Sequence, residues 1–118
     1  MIGVFIGFSS FRIAPLAAAL AFPIMPEPVT LSCVIPCLNE QANLGVLLPE
    51  LLAMLSRQGC VPEIIVVDGR STDATIAVAL SWPRVRVERE PRAGKGFALS
   101  AGFAAASCDI VVMMDADG

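Results

Sequence analysis

From Val29 onward the apolar positions come in blocks, each closed by a polar or helix-breaking residue. Val29 to Ile35 is a short, β-branched run halted by Pro36, which predicts a buried strand. Asn39 to Arg57 carries Leu44, Leu47, Leu48, Leu51, Leu52 and Leu55 at helical spacing, with Asn39 as the expected N-cap and Gly59 as the stop. Pro49 lies inside that span and predicts a kink or a restart. Glu63 to Val67 reads as a second buried strand that ends at Asp68, and Ser71 or Thr72 is expected to cap a short helix reaching Leu80. Val85 to Arg89 alternates like a half-exposed strand. Gly96 to Ala106 predicts a helix of small residues packed close to its neighbours, and Ile110 to Met114 a fourth strand.

Strand–helix alternation with near-continuous apolar strands predicts an α/β fold, a Rossmann-like, doubly wound and mostly parallel sheet with right-handed crossovers. Ligands of such sheets bind outside the carboxyl ends of the strands. The polar clusters fall at those ends. Pro36 to Glu40 follows the first strand, Asp68 to Asp73 the second, Arg92 to Gly96 the third, and Asp115 and Asp117 close the fourth.

Length and composition narrow this picture. At 118 residues the chain is at most one domain, large enough for a core but small for a complete enzyme. Apolar residues make up 56%, and much of the excess precedes Glu27. Residues 1–28 therefore read as an apolar leader and linker, and residues 29–118 as the domain proper. Arg12 and Pro15 break the leader, so it lacks the run of about 20 apolar residues that a spanning helix needs. A signal peptide would carry its positive charge ahead of the apolar stretch, whereas Arg12 sits within it. An unstructured or misassigned start is expected here, with membrane association as the alternative.

The net charge is −3 and histidine is absent, which argues against a basic nucleic-acid surface. Acid–base work is left to carboxylates or to Lys95, the single lysine. Cys33, Cys37, Cys60 and Cys108 show no metal-ligand spacing and read as small thiols in a reducing cytosol. A cytoplasmic address follows, or the cytoplasmic face of a membrane if the leader associates with one.

Each cluster has a plain reading beside a chemical one. Ser71, Thr72 and Asp73 are expected to serve as caps. Asp68 ends a buried strand, where a carboxylate can accept hydrogen bonds from a base or a ribose. Arg92-Ala93-Gly94-Lys95-Gly96 places a glycine-flanked cation ahead of a helix N-terminus, which suits a phosphate, although a solvated loop explains it as well. It lacks the upstream glycine and the Ser/Thr of a Walker A loop. Asp115 and Asp117, running straight out of a buried strand, ask for a hard divalent cation. Glu40 belongs either to a helix cap or to the pocket.

Taken together, four segments resemble family-2 glycosyltransferases of the GT-A fold. They are Val34-Ile35-Pro36-Cys37-Leu38-Asn39-Glu40, Ile64 to Asp73, Gly94-Lys95-Gly96 and Asp109 to Gly118. Their order and spacing resemble the polyprenyl (dolichol) phosphate mannosyl- and glucosyltransferase-like branch. The resemblance implies that Pro36, Asn39, Glu40 and Asp68 line a nucleoside pocket and that Lys95 lies near the diphosphate. It also implies that Asp115 and Asp117 form a DxD motif holding Mg²⁺ or Mn²⁺ against a nucleotide sugar of the GDP-mannose or UDP-glucose type. A polyprenyl phosphate would be the acceptor. The family often shows two consecutive acids where this chain has Asp68-Gly69. The family's acceptor site and catalytic base lie beyond the DxD motif, so the 118-residue chain is expected to bind donor and to be inactive alone. The rival reading is a non-catalytic nucleotide- or metal-binding module, or a subunit completed by another chain. A receiver-like phosphoacceptor domain ranks third, since it would want its lysine after a later strand.

Overall fold

The computed structural model describes residues 7–8, 30–59, 61–108 and 110–116. The elements in chain order are β1 (Gly7–Phe8), β2 (Thr30–Cys37), α1 (Gln41–Arg57), β3 (Val61–Asp68), α2 (Thr75–Leu80), β4 (Val85–Arg89), α3 (Lys95–Ala105) and β5 (Ile110–Met113). The sheet order is β1-β5-β2-β3-β4, with β5, β2, β3 and β4 mutually parallel and β1 antiparallel on the edge of β5. The predicted α/β sheet is present, and its strand order reverses between β2 and β5. That reversal opens a crevice at their carboxyl ends.

Both faces of the central strands are covered, which explains their unbroken apolar runs. Successive side chains alternate sides. Cys33, Ile35 and Cys37 of β2, with Ile64 and Val66 of β3, pack with Leu44, Leu48, Leu51 and Leu55 of α1. Val34, Ile65 and Val67 face the other way and pack with Ala98 of α3. α3 lies very close to the sheet there. A Cβ on Gly102 would come within 2.2 Å of Val34 Cγ1, so only glycine fits.

Three local expectations are corrected. α1 is one continuous helix through Pro49, without the restart. A mid-helix proline costs about 3 kcal/mol, whereas each fully buried leucine contributes about 1.5–3 kcal/mol, and α1 buries four. Asn39 does not cap α1; Glu40 is the N-cap and makes no side-chain capping bond. Ser71 and Thr72 do not cap α2, whose N-cap is Ala74, again without a side-chain capping bond.

Of the apolar leader, Gly7–Phe8 pairs with β5 in the register Gly7↔Val111 and Phe8↔Ile110. The rest of residues 1–28, and with it the expectation of an unstructured start, lies outside the described residues. Among the described residues no helix is long and apolar enough to cross a membrane.

Candidate functional site

The sheet ladder continues one step past the strand ends. Gly69 N–H donates to the Cys37 carbonyl at 2.8 Å, Glu90 N–H to the Asp68 carbonyl at 2.9 Å, and Met114 N–H to the Val34 carbonyl at 3.0 Å. These bonds bring four loops to one edge. Between them lies a cavity of about 500 Å³, lined by Pro36, Leu38, Glu40, Arg70, Arg92, Lys95 and Asp115 among others.

Of the six residues expected at the nucleotide-sugar pocket, Pro36, Glu40, Lys95 and Asp115 line that cavity, whereas Asn39 and Asp68 do not. Asp115 lies two residues past the end of β5 and is half-buried, and Lys95 opens α3. The Lys95 ammonium is paired with Asp115 Oδ1. A cation therefore already sits against the carboxylate expected to take a metal. Gly94, just before α3, has φ +114°, a conformation open to glycine and strained for other residues. The first-turn N–H groups of a helix have no intrahelical acceptors, and those of α3 begin at this cavity.

Asp68 is buried behind the cavity wall. Its Oδ2 accepts the Ser71 N–H at 3.0 Å, while its buried Oδ1 has no hydrogen-bond partner. An orphaned buried carboxylate oxygen carries a desolvation cost that a ligand donor would remove.

Asn39 lies outside the cavity lining and acts as a strut. Its side-chain Oδ1 accepts the N–H groups of Thr72 at 2.8 Å and Asp73 at 3.3 Å, and its own N–H donates to Ser71 Oγ at 2.9 Å. Asn39 itself is held at φ +53°, a region asparagine tolerates better than most residues. Thr75 Oγ1 accepts the Glu40 N–H at 3.0 Å, and Asp73 Oδ2 accepts the Gln41 N–H at 3.3 Å. Ser71, Thr72 and Asp73 thus tie the β3–α2 loop to the start of α1.

Sequence reasoning passed over Glu90. It is buried, and its carboxylate grips Arg92 twice, taking Nε at 2.7 Å and Nη2 at 3.0 Å. Those hydrogen bonds hold the Glu90 carboxyl down at about 2 and raise the Arg92 guanidinium. Arg92 also lies over the Phe97 ring, 4.3 Å from its centroid. The signal in the sequence was a lone acid two residues before an arginine, too common a pattern to stand out.

Cys37 lines the cavity, yet burial pushes its thiol up to about 12, with the charges of Glu40, Asp68 and Asp73 adding to the effect. It stays protonated and unsuited to nucleophilic or metal-ligand work. Among the described residues no group of three His, Cys, Asp or Glu side chains converges on a metal position. Asp117 lies outside the described residues. One or two carboxylates completed by substrate phosphates are nonetheless the ordinary way to hold Mg²⁺, and Asp115 presents such a donor with a cation already drawn to it.

Residues 32–118 match the family described as glycosyl transferase family 2. The glucosyl-3-phosphoglycerate synthase of Mycobacterium tuberculosis (strain ATCC 25618 / H37Rv) is 39% identical over 95 residues, covering 75% of this chain and 29% of the relative. The chain therefore spans about three-tenths of the length of that curated relative. Among solved structures, mannosyl-3-phosphoglycerate synthase from Rubrobacter xylanophilus superposes with a TM-score of 0.69 at 31% identity, over 75% of this chain and 31% of that one. Glucosyl-3-phosphoglycerate synthase from Mycobacterium tuberculosis, in complex with Mn²⁺, UDP and glucosyl-3-phosphoglycerate, gives a TM-score of 0.59 at 37% identity, over 75% of this chain and 33% of that one.

Proposed function

This chain belongs to glycosyl transferase family 2, and from that premise we propose that it forms the donor-binding part of an enzyme that transfers glucose from UDP-glucose to a phosphoglycerate. One observation carries the donor side: a hard carboxylate, a lysine and a helix N-terminus converge on one cavity at the switch point of the sheet. That combination suits a diphosphate bridged to a divalent cation.

Asp115 would hold Mg²⁺ or Mn²⁺, with Asp117 completing the motif. When bound, the metal neutralises charge building on the departing nucleoside diphosphate. Lys95 and the first N–H groups of α3 would hold the diphosphate. Pro36 and Glu40 would wall the nucleoside, with Asp68 buried behind them. Asn39 would act at one remove, by fixing the loop that carries Arg70.

This reading takes phosphoglycerate as the acceptor in place of the expected polyprenyl phosphate. The quoted relatives are named for phosphoglycerate, and one was solved with glucosyl-3-phosphoglycerate. Membrane association has no support of its own among the described residues. Support for UDP over GDP is of the same kind: the glucosyl-3-phosphoglycerate synthase structure holds UDP.

Calorimetric titration of the chain with UDP-glucose and GDP-mannose, each with and without Mn²⁺, tests the reading. UDP-glucose should bind only weakly without Mn²⁺ and clearly with it, and Asp115→Asn should remove the metal-dependent part. Equal binding with and without metal, or a preference for GDP-mannose, would overturn it. A non-catalytic nucleotide module would share the binding, so transfer to 3-phosphoglycerate by a longer chain containing this one separates the two.

A further inference from the structure

Lys95 and Asp115 are the two residues of the cavity assigned to opposite partners, one to an anionic diphosphate and the other to a cation. Here they are bound to each other. The Asp115 side chain is about one-fifth exposed and that of Lys95 about one-half, so the lysine is the more solvent-exposed member of the pair. It projects from the first residue of α3 on a four-carbon stem with rotatable donors. Asp115 cannot hold the ammonium and a divalent cation in the same place.

We propose that Lys95 is a placeholder for the metal, neutralising Asp115 until the cation and the donor diphosphate arrive and then transferring its charge to the diphosphate. The inference rests on the donor-binding role proposed above and adds an order to it. Metal alone must displace the ammonium without compensation and binds weakly. Diphosphate alone must draw the ammonium away and leaves Asp115 half-buried and unpaired. When both bind, the ion pair is broken once and both charges find new partners. The two ligands are therefore coupled through one lysine, and by linkage each strengthens the other by the same factor. The pair also spares Asp115 from standing as an uncompensated half-buried carboxylate.

The test uses the 118-residue chain and Lys95→Met, with Mn²⁺ binding read by electron paramagnetic resonance and UDP binding by calorimetry. Mn²⁺ alone should bind about fivefold or more tightly to the variant, the lower range of ordinary coupling between sites, because its competitor is gone. UDP alone should bind more weakly, and the factor by which Mn²⁺ and UDP assist each other should shrink. Unchanged or weaker Mn²⁺ binding would overturn the inference. Arg70→Met is the control, since Arg70 lines the same cavity and pairs with no carboxylate among the described residues. If it tightens Mn²⁺ as much as Lys95→Met does, the general field is at work and the placeholder idea fails. A urea midpoint matching the parent's checks folding, and Lys95→Arg, which keeps a cation at the site, should leave Mn²⁺ affinity near the parent's. Should the parent chain bind no UDP at all, the donor-binding reading fails instead, while the Mn²⁺ comparison still decides the competition between lysine and metal.

Discussion

Asn39 Oδ1 accepts the backbone N–H of Thr72 at 2.8 Å across 33 residues of sequence, joining the loop after β2 to the loop after β3. A second N–H, from Asp73, reaches the same oxygen at 3.3 Å. The bond fixes the spacing of two cavity walls, because Glu40 follows the acceptor and Arg70 precedes the donor. One amide thereby converts two separate turns into one rigid edge.

Replacing that amide should loosen the edge. Asn39→Ala removes the acceptor and places alanine at φ +53°, so a loss of about 1–2 kcal/mol is expected from the hydrogen bonds and the backbone together. Asn39→Gly keeps the backbone conformation accessible and should cost less. Urea midpoints of the three chains give the ordering. If alanine and glycine destabilise equally, the backbone contribution is absent.

α3 offers a sharper contrast between two glycines. A Cβ on Gly102 would meet Val34 Cγ1 at 2.2 Å and Val67 Cγ2 at 3.1 Å, and both belong to rigid, buried β-branched side chains. Gly102→Ala should cost about 1–3 kcal/mol or more, as overpacking does. Gly96 has open space around its Cβ position and a negative-φ helical backbone, so Gly96→Ala should be neutral or stabilising by up to about 1 kcal/mol. Thermal midpoints moving in opposite directions would bear this out. A tolerated alanine at 102 would mean that α3 sits farther from the sheet.

The sheet was legible because its strands are buried on both faces, and such burial leaves unbroken β-branched runs such as Ile64 to Val67. Lys95 and Asp115 were legible as cavity residues because parallel topology brings every strand's carboxyl end to one edge. What stayed hidden depends on which loop meets which. Asn39 looks like a cap to any local reading, since an asparagine just ahead of leucines at helical spacing is an ordinary helix start. Its true partners are Thr72 and Asp73, and nothing near it in the chain names them. Pro49 misled for the opposite reason: a strong local rule was outweighed by leucines whose burial only the fold supplies. Glu90 combined both difficulties, being an ordinary acid locally and a buried anchor for Arg92 in the fold.

Glu90 carries the pH prediction. The hydrogen bonds from Arg92 hold its carboxyl at about 2, against an ordinary value of 4.5 in the unfolded chain. A depressed folded value means the unfolded state binds the proton more readily. The stabilisation is therefore complete above about pH 5 and is lost as the pH falls from 4.5 towards 2. Glu63 and Asp73 are also held low and act in the same direction; Glu63 is lowered by hydrogen bonds from Ser107, Cys108 and Ser32 that outweigh its burial, and Asp73 by bonds from Thr75 and Gln41. Glu90→Gln should flatten part of the fall in urea midpoint between pH 5 and pH 2 while lowering the midpoint at pH 7. An unaltered slope would show that Arg92 does not hold Glu90 in the folded chain.

Cys37 should be silent towards thiol reagents in the folded protein despite lining the cavity. Its S–H donates to the Ile35 carbonyl at 3.7 Å, and burial together with the neighbouring charges of Glu40, Asp68 and Asp73 pushes the thiol up to about 12. Only the thiolate attacks an alkylating agent, and at pH 8 almost none exists at such a value. Iodoacetamide followed by peptide mass spectrometry should leave Cys37 unmodified in buffer and label it in 8 M urea, a concentration on the order of that needed to unfold a small domain fully. Nearby charge gives a second handle. Asp73→Asn removes one of the anions opposing ionisation and should speed labelling slightly at high pH, whereas burial, the larger cause, is left in place. Fast labelling of the folded parent at pH 8 would mean that the thiol is neither buried nor opposed by those carboxylates, and the packing of β2 against α1 would have to be redrawn.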